Sequence, residues 1–320
     1  MAGSGWKVNG ISWAVAGGLA ALAAVRITEA DRRREVPAVA LVSFTPQLAA
    51  AAPWAALGLR LAGRRAPAAT AAVAGAALNW VVRSRANPRP QPPASGPALR
   101  VVTANVYFGQ GDAEVVVGLV RKSDADVLFV QELTESAVTR LKQAGLEDLL
   151  PHAQLELRGG SRGSGIYSRY PLSEGPPVPA TYMAQPTALL ELPAGDTVEL
   201  VCVHPVAPGL RRWGGASRWR EELGLLPAPG GLPRVMAGDF NATLDHAAFR
   251  AVLALGYADA AQQTGKGLTP TWGIPGRERA VLTLDHVLVD PGCAVRDYSV
   301  HMVPGSDHRA VYAEIQLPGR

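Results

Sequence analysis

Eight polar residues in the C-terminal two thirds of this 320-residue chain could hold a cation, move a proton or neutralise an anion: Asn105, Glu132, His204, Asp239, Asn241, Asp285, Asp307 and His308. A hard divalent cation such as Mg²⁺ prefers oxygen ligands and keeps several waters, so one carboxylate and one amide oxygen suffice to hold it. Glu132 and Asn105 supply that pair. His308 is the candidate proton-transfer group, because an imidazole titrates near neutrality and is readily tuned. Asp239 and Asn241 sit two apart in Gly-Asp-Phe-Asn, a spacing that points both side chains to one side of an extended loop.

Such groups act only if rigid elements hold them, and each lies beside an apolar run. Strands are expected at 99–107, 126–130, 164–168, 188–192, 197–204, 234–237, 284–289, 298–302 and 310–317, from β-branched and apolar runs bounded by turn residues. Helices fit best at 113–122, 136–144, 217–226 and 247–255. Many short strands with intervening helices predict an α/β fold: a two-sheet sandwich with helices outside. Asn105, Glu132 and His204 then close three strands, and Asp307 and His308 precede the last. Loops at the ends of a rigid sheet are where reactive groups are usually presented.

The ordered strings TANVYFG, QEL, GIYSRYPL, VCVHP, GDFNAT, LDHVLV and GSDHRAV resemble those of the endonuclease/exonuclease/phosphatase superfamily, which has the DNase I-like fold. The resemblance covers residues 99–317. It implies a metal-dependent hydrolase of phosphate esters, with Mg²⁺ or Mn²⁺ as cofactor. It implies metal ligation by Asn105, Glu132 and Asp307, with Asp285 as the carboxylate that orients His308. By the same resemblance Asp239 orients or deprotonates the attacking water, Asn241 donates to the phosphate, and His204 meets a non-bridging oxygen. A histidine at 204 is similar to the DNase, sphingomyelinase and phosphatase branches rather than the abasic-site repair branch. Tyr167 reads as core packing. Thr271 and Trp272 match a loop near the site. Arg211, Arg212, Trp213, Arg218, Trp219 and Arg220 form a basic, aromatic stretch able to grip a phosphate or headgroup. His152, His246 and His301 read as surface or structural.

The front of the chain differs. Residues 1–97 carry net charge +8 and residues 98–320 net −4, so the basic balance belongs to the front third. The charge-free stretches at 11–25, 36–59 and 66–82 are each bounded by arginines, and predict three membrane-spanning helices within an anchor at 1–85. The proline-rich segment 86–98 reads as an extended linker, and the catalytic domain as residues 99–318. The mildly acidic catalytic part does not attract polyanions by net charge. Positive-inside counting favours a cytoplasmic C-terminal domain. Resemblance to a membrane-bound bacterial branch implies an outward-facing one, and that is the expectation adopted. The partners expected are the bilayer and a phosphorylated substrate, lipid-linked first and nucleic acid second; no protein partner is inferable. An inactive binding scaffold is the third alternative, and it would lack a ligand or a histidine. Cys202 and Cys293 leave one disulfide possible.

Overall fold

The computed structural model describes residues 3–33, 36–179, 181–210, 213–274 and 279–319. The chain divides into two units, Met1–Ala86 with Asp245–Ala247, and Asn87–Leu244 with Ala248–Arg320.

The first unit is helical: α1 (Gly3–Thr28), α2 (Val36–Ser43), α3 (Thr45–Leu61) and α4 (Arg65–Arg83). Alanines let the helices approach closely. A Cβ on Gly75 of α4 would lie 2.7 Å from the Ala52 Cβ of α3, and Asn79 donates across to Ala49 O at 2.7 Å. The outward side is apolar too: Trp54, Leu61, Val73 and Trp80 are each more than 70% exposed. Among the described residues one helix, Asn9–Thr28, is long and apolar enough to cross a bilayer, with mean hydropathy 1.6. The middle stretch is not one straight span. It breaks into Pro37–Ser43 and Thr45–Leu61, bent by 73°. Pro46 lies in the first turn of α3, where a proline starts a helix readily but cannot continue one from the preceding turn.

The second unit is the expected sandwich. One six-stranded sheet has the order β13 (Ala294–Met302), β14 (Arg309–Gln316), β1 (Ala98–Asn105), β2 (Val127–Gln131), β4 (Ser164–Ser168), β3 (His152–Glu156). The other runs β5 (Leu172–Glu174), β6 (Thr187–Glu191), β7 (Thr197–Val203), β8 (Arg234–Asp239), β12 (Asp285–Val289), β9 (Ala258–Asp259). A hairpin of β10 (Trp272–Gly273) and β11 (Ala280–Leu282) completes the strands described. Leu99, Val101, Val127 and Phe129 of the first sheet meet Leu200, Cys202, Val235 and Val287 of the second in the central core. The alternate residues Val102, Ala104, Leu128 and Val130 pack outward. There they meet α5 (Ala113–Lys122) and α6 (Glu135–Gln143), each started by a side-chain cap, Asp112 on Val115 N and Thr134 on Ala137 N. Burial of both faces explains why these strands read as continuous apolar runs rather than alternating ones. Tyr167 lies in this outer core, as packing predicts. Cys202 and Cys293 are free, buried thiols and do not pair.

The linker is tied to this unit: the Gln91 side chain exchanges hydrogen bonds with the Val295 backbone. Strands β1 and β2 run parallel, as do β7 and β8, while β14 and β12 run antiparallel to them. The C-terminal ends of four strands and the N-terminal ends of two therefore share one edge. Gly238 fixes that edge. It pairs with Val203, and a Cβ there would lie 2.0 Å from Val203 O. Gly238→Ala is expected to lower the melting temperature by roughly 5–15 °C, measurable by calorimetry, because backbone must move.

Candidate active site

The shared edge collects the chemistry. Asn105 ends β1 and Asp239 ends β8, yet they meet across the two sheets, Asn105 Nδ2 donating to Asp239 Oδ2 at 3.1 Å. Asp285 opens β12 opposite Asp239, and His308 directly precedes β14. Their side chains pair, His308 Nδ1 lying 2.9 Å from Asp285 Oδ2. The Thr271 hydroxyl donates to the same Asp285 oxygen at 2.6 Å and accepts from the Leu284 and Asp285 amides. Asp285 is thus held on two sides, and the far ring nitrogen of His308 is turned inward, 3.6 Å from Asp239 Oδ2. His204 reaches the same oxygen from β7, with Nε2 at 4.0 Å.

Glu132, Asp307 and Asn241 form the more open margin. Glu132 accepts from the Phe108 amide at 2.7 Å and from Asn105 Nδ2 at 3.3 Å. Asp307 accepts from Trp272 Nε1 at 3.0 Å through one oxygen, while its other oxygen is buried without a hydrogen-bond partner among the described residues. The Asn241 side chain donates to Pro205 O at 3.1 Å, and its amide donates to Asp239 Oδ1 at 2.8 Å. Tyr107, Phe108, Glu132 and Asn241 all have φ between 42° and 58°. Non-glycine residues in this left-handed region persist where surrounding structure holds them, often at functional sites.

Electrostatics separates the groups. Burial raises the Asp239 carboxyl, and the positive His308 offsets this only in part. Burial likewise raises Glu132. For His308 burial opposes the charged ring, but Asp285 and Asp239 outweigh it and hold its pKa well above the ordinary value. His204 goes the other way: burial, then repulsion from His308, take it down to about 3. One histidine is cationic and the other neutral within a single pocket.

All eight expected residues converge here, but in two layers. Asp239, Asp285 and His308 offer ligand atoms within 4.8 Å of one another, although His308 and Asp285 already satisfy each other. Asn105 and Glu132 lie beside this group, Asn105 Nδ2 being 3.3 Å from Glu132 Oε1 and 3.1 Å from Asp239 Oδ2. The amide of Asn105 presents nitrogen rather than oxygen to the carboxylates, its Oδ1 accepting from Tyr107 N at 3.0 Å. A donor thus stands between Glu132 and Asp239. The donor set is nevertheless one of hard oxygens, and the orphaned Asp307 oxygen is the kind of atom a divalent cation satisfies.

Three supports were not legible beforehand. The Gln185 side chain accepts from His204 N. Glu222, buried on α8 (Gly215–Gly224), accepts from the Tyr182 and Val206 amides. His286 spans Asp259 and Ala242 O, at 2.8 and 2.9 Å, behind the loop carrying Asp239 and Asn241. The sequence gives each only as a lone polar residue far from its partner. In the basic stretch, Arg211 and Arg212 lie outside the described residues, and Trp219 is core, donating to Phe240 O at 3.1 Å.

A two-sheet sandwich with a carboxylate-held histidine at its shared edge describes a hydrolase of phosphoester bonds. A family model for the endonuclease/exonuclease/phosphatase family matches residues 102–308, and the chain belongs to that family, whose members are phosphoesterases or nucleases. Solved structures share the fold. An endonuclease/exonuclease/phosphatase from Beutenbergia cavernae DSM 12333 aligns with TM-score 0.54 and 21% identity over 69% of this chain and 72% of that one. D. rerio TDP2 complexed with a single-strand DNA product gives 0.55 and 19% over 68% and 98%. The mannosyl-6-phosphatase Bt3783 of Bacteroides thetaiotaomicron VPI-5482 gives 0.50 and 19% over 68% and 99%. No match was found among curated proteins.

Proposed function

We propose that this chain is a membrane-tethered, divalent-metal-dependent phosphoesterase acting on a lipid-linked phosphate ester or diphosphate. The observation that carries the chemistry is the His308–Asp285 pair, with His308 Nε2 turned toward Asp239. Glu132, Asp307 and Asn105 would hold Mg²⁺ or Mn²⁺, Asn105 after turning its amide over. When bound, that ion supplies neutralisation of charge on the phosphoryl oxygens.

The remaining steps belong to the chain. Asp239, its carboxyl raised by burial, takes the proton of the attacking water as the water oxygen bonds to phosphorus. Neutral His204 and the free N–H of Asn241 donate to non-bridging oxygens, which gain charge in the transition state. His308 gives its Nε2 proton to the leaving oxygen as the ester bond breaks, and Asp285 holds the ring in the tautomer that permits this. Proton transfer from Asp239 to His308, 3.6 Å apart, then restores both groups.

The tethering half rests on the helical unit. Large apolar side chains face outward from it, Trp54 at 74% and Trp80 at 84% exposed, where water would be costly and lipid would not. We place the catalytic unit on the outer face of a bacterial membrane. That placement follows the resemblance to outward-facing relatives rather than the arginine count.

The test uses the full-length chain in detergent with Mg²⁺ or Mn²⁺. Phosphate release from a polyprenyl diphosphate is timed beside plasmid nicking, with Asp239→Ala and His308→Ala as controls. Phosphate release without nicking, lost in both controls, is the expected result. Nicking alone would replace the lipid substrate with nucleic acid. Silence of both would favour an inactive scaffold.

A further inference from the structure

The pocket margin between Glu132 and His204 carries a cluster that the proposed reaction does not use. Arg162 ends the short turn Gly160–Arg162. Its neighbour Gly163 accepts from Leu133 N at 2.9 Å, directly after Glu132, and leaves no room for a Cβ, which would lie 2.2 Å from Leu133 O. Arg162 O in turn accepts from Ala184 N at 2.8 Å, which places Tyr182 alongside. On the far side the Glu222 carboxylate takes the Tyr182 amide at 2.7 Å and the Val206 amide at 2.9 Å, two residues beyond His204. The cluster is therefore fixed to both walls of the pocket.

Within it, the Arg162 and Arg218 guanidinium carbons lie 5.4 and 5.5 Å from the centre of the Tyr182 ring. The Trp213 ring sits 5.7 Å from the same ring at 36°. Aromatic contact orients a guanidinium while leaving its N–H edges free. Arg162 spends one N–H on Gly159 O at 2.9 Å. Among the described residues neither guanidinium lies within ion-pair distance of a carboxylate. Both oxygens of Glu222, the nearest buried acid on α8, are already taken by backbone amides. All four ring and guanidinium side chains are partly exposed.

Two guanidinium groups held against one ring, neither with a carboxylate at ion-pair distance among the described residues and only Arg218 feeling the charge of Glu222, offer their N–H edges to an anion. We infer that Arg162, Tyr182, Trp213 and Arg218 form a subsite for a second, non-scissile phosphate of the substrate. The inference rests on the phosphoesterase reading and narrows it to substrates with two neighbouring phosphate groups. These are a lipid diphosphate or the adjoining phosphodiester of a nucleic acid. With two guanidinium groups and the Trp213 ring already against Tyr182, the cluster favours phosphate over a stacked base.

The experiment compares substrate pairs on the full-length chain in detergent with Mn²⁺: geranylgeranyl diphosphate against its monophosphate, and the thymidine dinucleotide with a 5′-phosphate against the one without. In Arg162→Ala/Arg218→Ala the KM for the doubly phosphorylated member is expected to rise about 10- to 100-fold, the loss of charged hydrogen bonds. Its kcat and the KM of the singly phosphorylated member should move less than about 3-fold on the same scale. Arg162→Lys/Arg218→Lys should recover part of the loss, since charge returns without the planar fork. A shift in the lipid pair alone assigns the site to a diphosphate, and one in the dinucleotide pair alone to a nucleic-acid backbone. Equal shifts on both members of each pair would overturn the subsite. Wild-type silence on every ester would instead overturn the phosphoesterase reading beneath it. If the double alanine variant loses its folded melting transition, Arg162→Gln and Arg218→Gln are read singly by the same ratio.

Discussion

Asp285→Asn is expected to lower kcat by about 10³- to 10⁴-fold with little change in KM or melting temperature. The reason lies in one oxygen. Asp285 Oδ2 accepts from Thr271 Oγ1 at 2.6 Å and faces His308 Nδ1 at 2.9 Å. A carboxylate there keeps the ring proton on Nδ1 and supports a second proton on Nε2, the one available to a leaving oxygen. An asparagine whose carbonyl replaces Oδ2 still accepts from Thr271 and still faces Nδ1, but it carries no charge and sets an NH₂ at the Oδ1 position, 3.1 Å from Nδ1. Without its counter-charge the imidazolium is no longer favoured, the ring becomes neutral with its proton on Nδ1, and Nε2 loses the acidic proton that a leaving oxygen needs. The fold has little reason to notice, since Asp285 stays buried with its threonine partner. His308→Asn should cost a similar factor, and the double variant hardly more than either, because groups acting as a unit are not additive. Steady-state kinetics on bis-p-nitrophenyl phosphate measures all three. A single Asp285→Asn within tenfold of wild type would remove Asp285 from the mechanism.

The strands could be read because both faces are buried: 127–130 in β2 and 287–289 in β12 are apolar without interruption, and the polar groups fall at the strand ends. β3, β5 and the β10–β11 hairpin escaped. They are short or half-exposed, as in β3, and their pattern is set by neighbours rather than by their own residues. Site residues were legible where a motif packs several together, as in Gly-Asp-Phe-Asn and Ser-Asp-His. Their supports were not. Gln185, Glu222 and His286 reach partners 19, 16 and 44 residues away, and only the closed sandwich relates them. The basic stretch misled in one respect: Trp219 looks like its neighbours in sequence, yet the helix turns it into the core beneath Phe240. Arg162 and Tyr182, which join Trp213 and Arg218 in space, lie about as far away in sequence as the strands between them require. Of the three charge-free stretches expected to span a membrane, one gives a helix long and apolar enough among the described residues, Asn9–Thr28, while a proline-bearing helix start bends the middle one by 73°.

Glu132→Gln should abolish the stabilisation that a divalent cation gives the catalytic unit, and lower kcat by about 10²- to 10³-fold. Glu132, Asp239, Asp285 and Asp307 face one cationic ring, His308, so the pocket gathers more negative than positive charge when its acids are ionised. Burial raises Glu132 and Asp239, and for an acid the sign is definite. A raised folded pKa means the ionised form weakens the fold. The penalty is absent below the unfolded pKa, grows as pH passes between the two values, and is full above the folded one. Bound cation reverses it. At a hundred times its dissociation constant a ligand adds about 2.7 kcal/mol, or roughly 5–10 °C for a unit of this size. Calorimetric scans at pH 8 with EDTA and with Mn²⁺ should show that rise in the wild type and less than about 2 °C of it in Glu132→Gln. Without metal the variant should melt within about 2 °C of the wild type, since it drops one unfavourable charge and a glutamine oxygen still accepts from Phe108 N, while its NH₂ is turned toward the Asn105 Nδ2 donor. Asp285→Asn supplies the contrast, because its carboxylate is committed to His308 and Thr271, and most of the metal-induced rise should remain. A pocket complete without metal would show no rise in any variant. A rise that survives Glu132→Gln but vanishes in Asp285→Asn would move the cation to the compact Asp239, Asp285, His308 group and leave Glu132 as a bracket for the Phe108 turn.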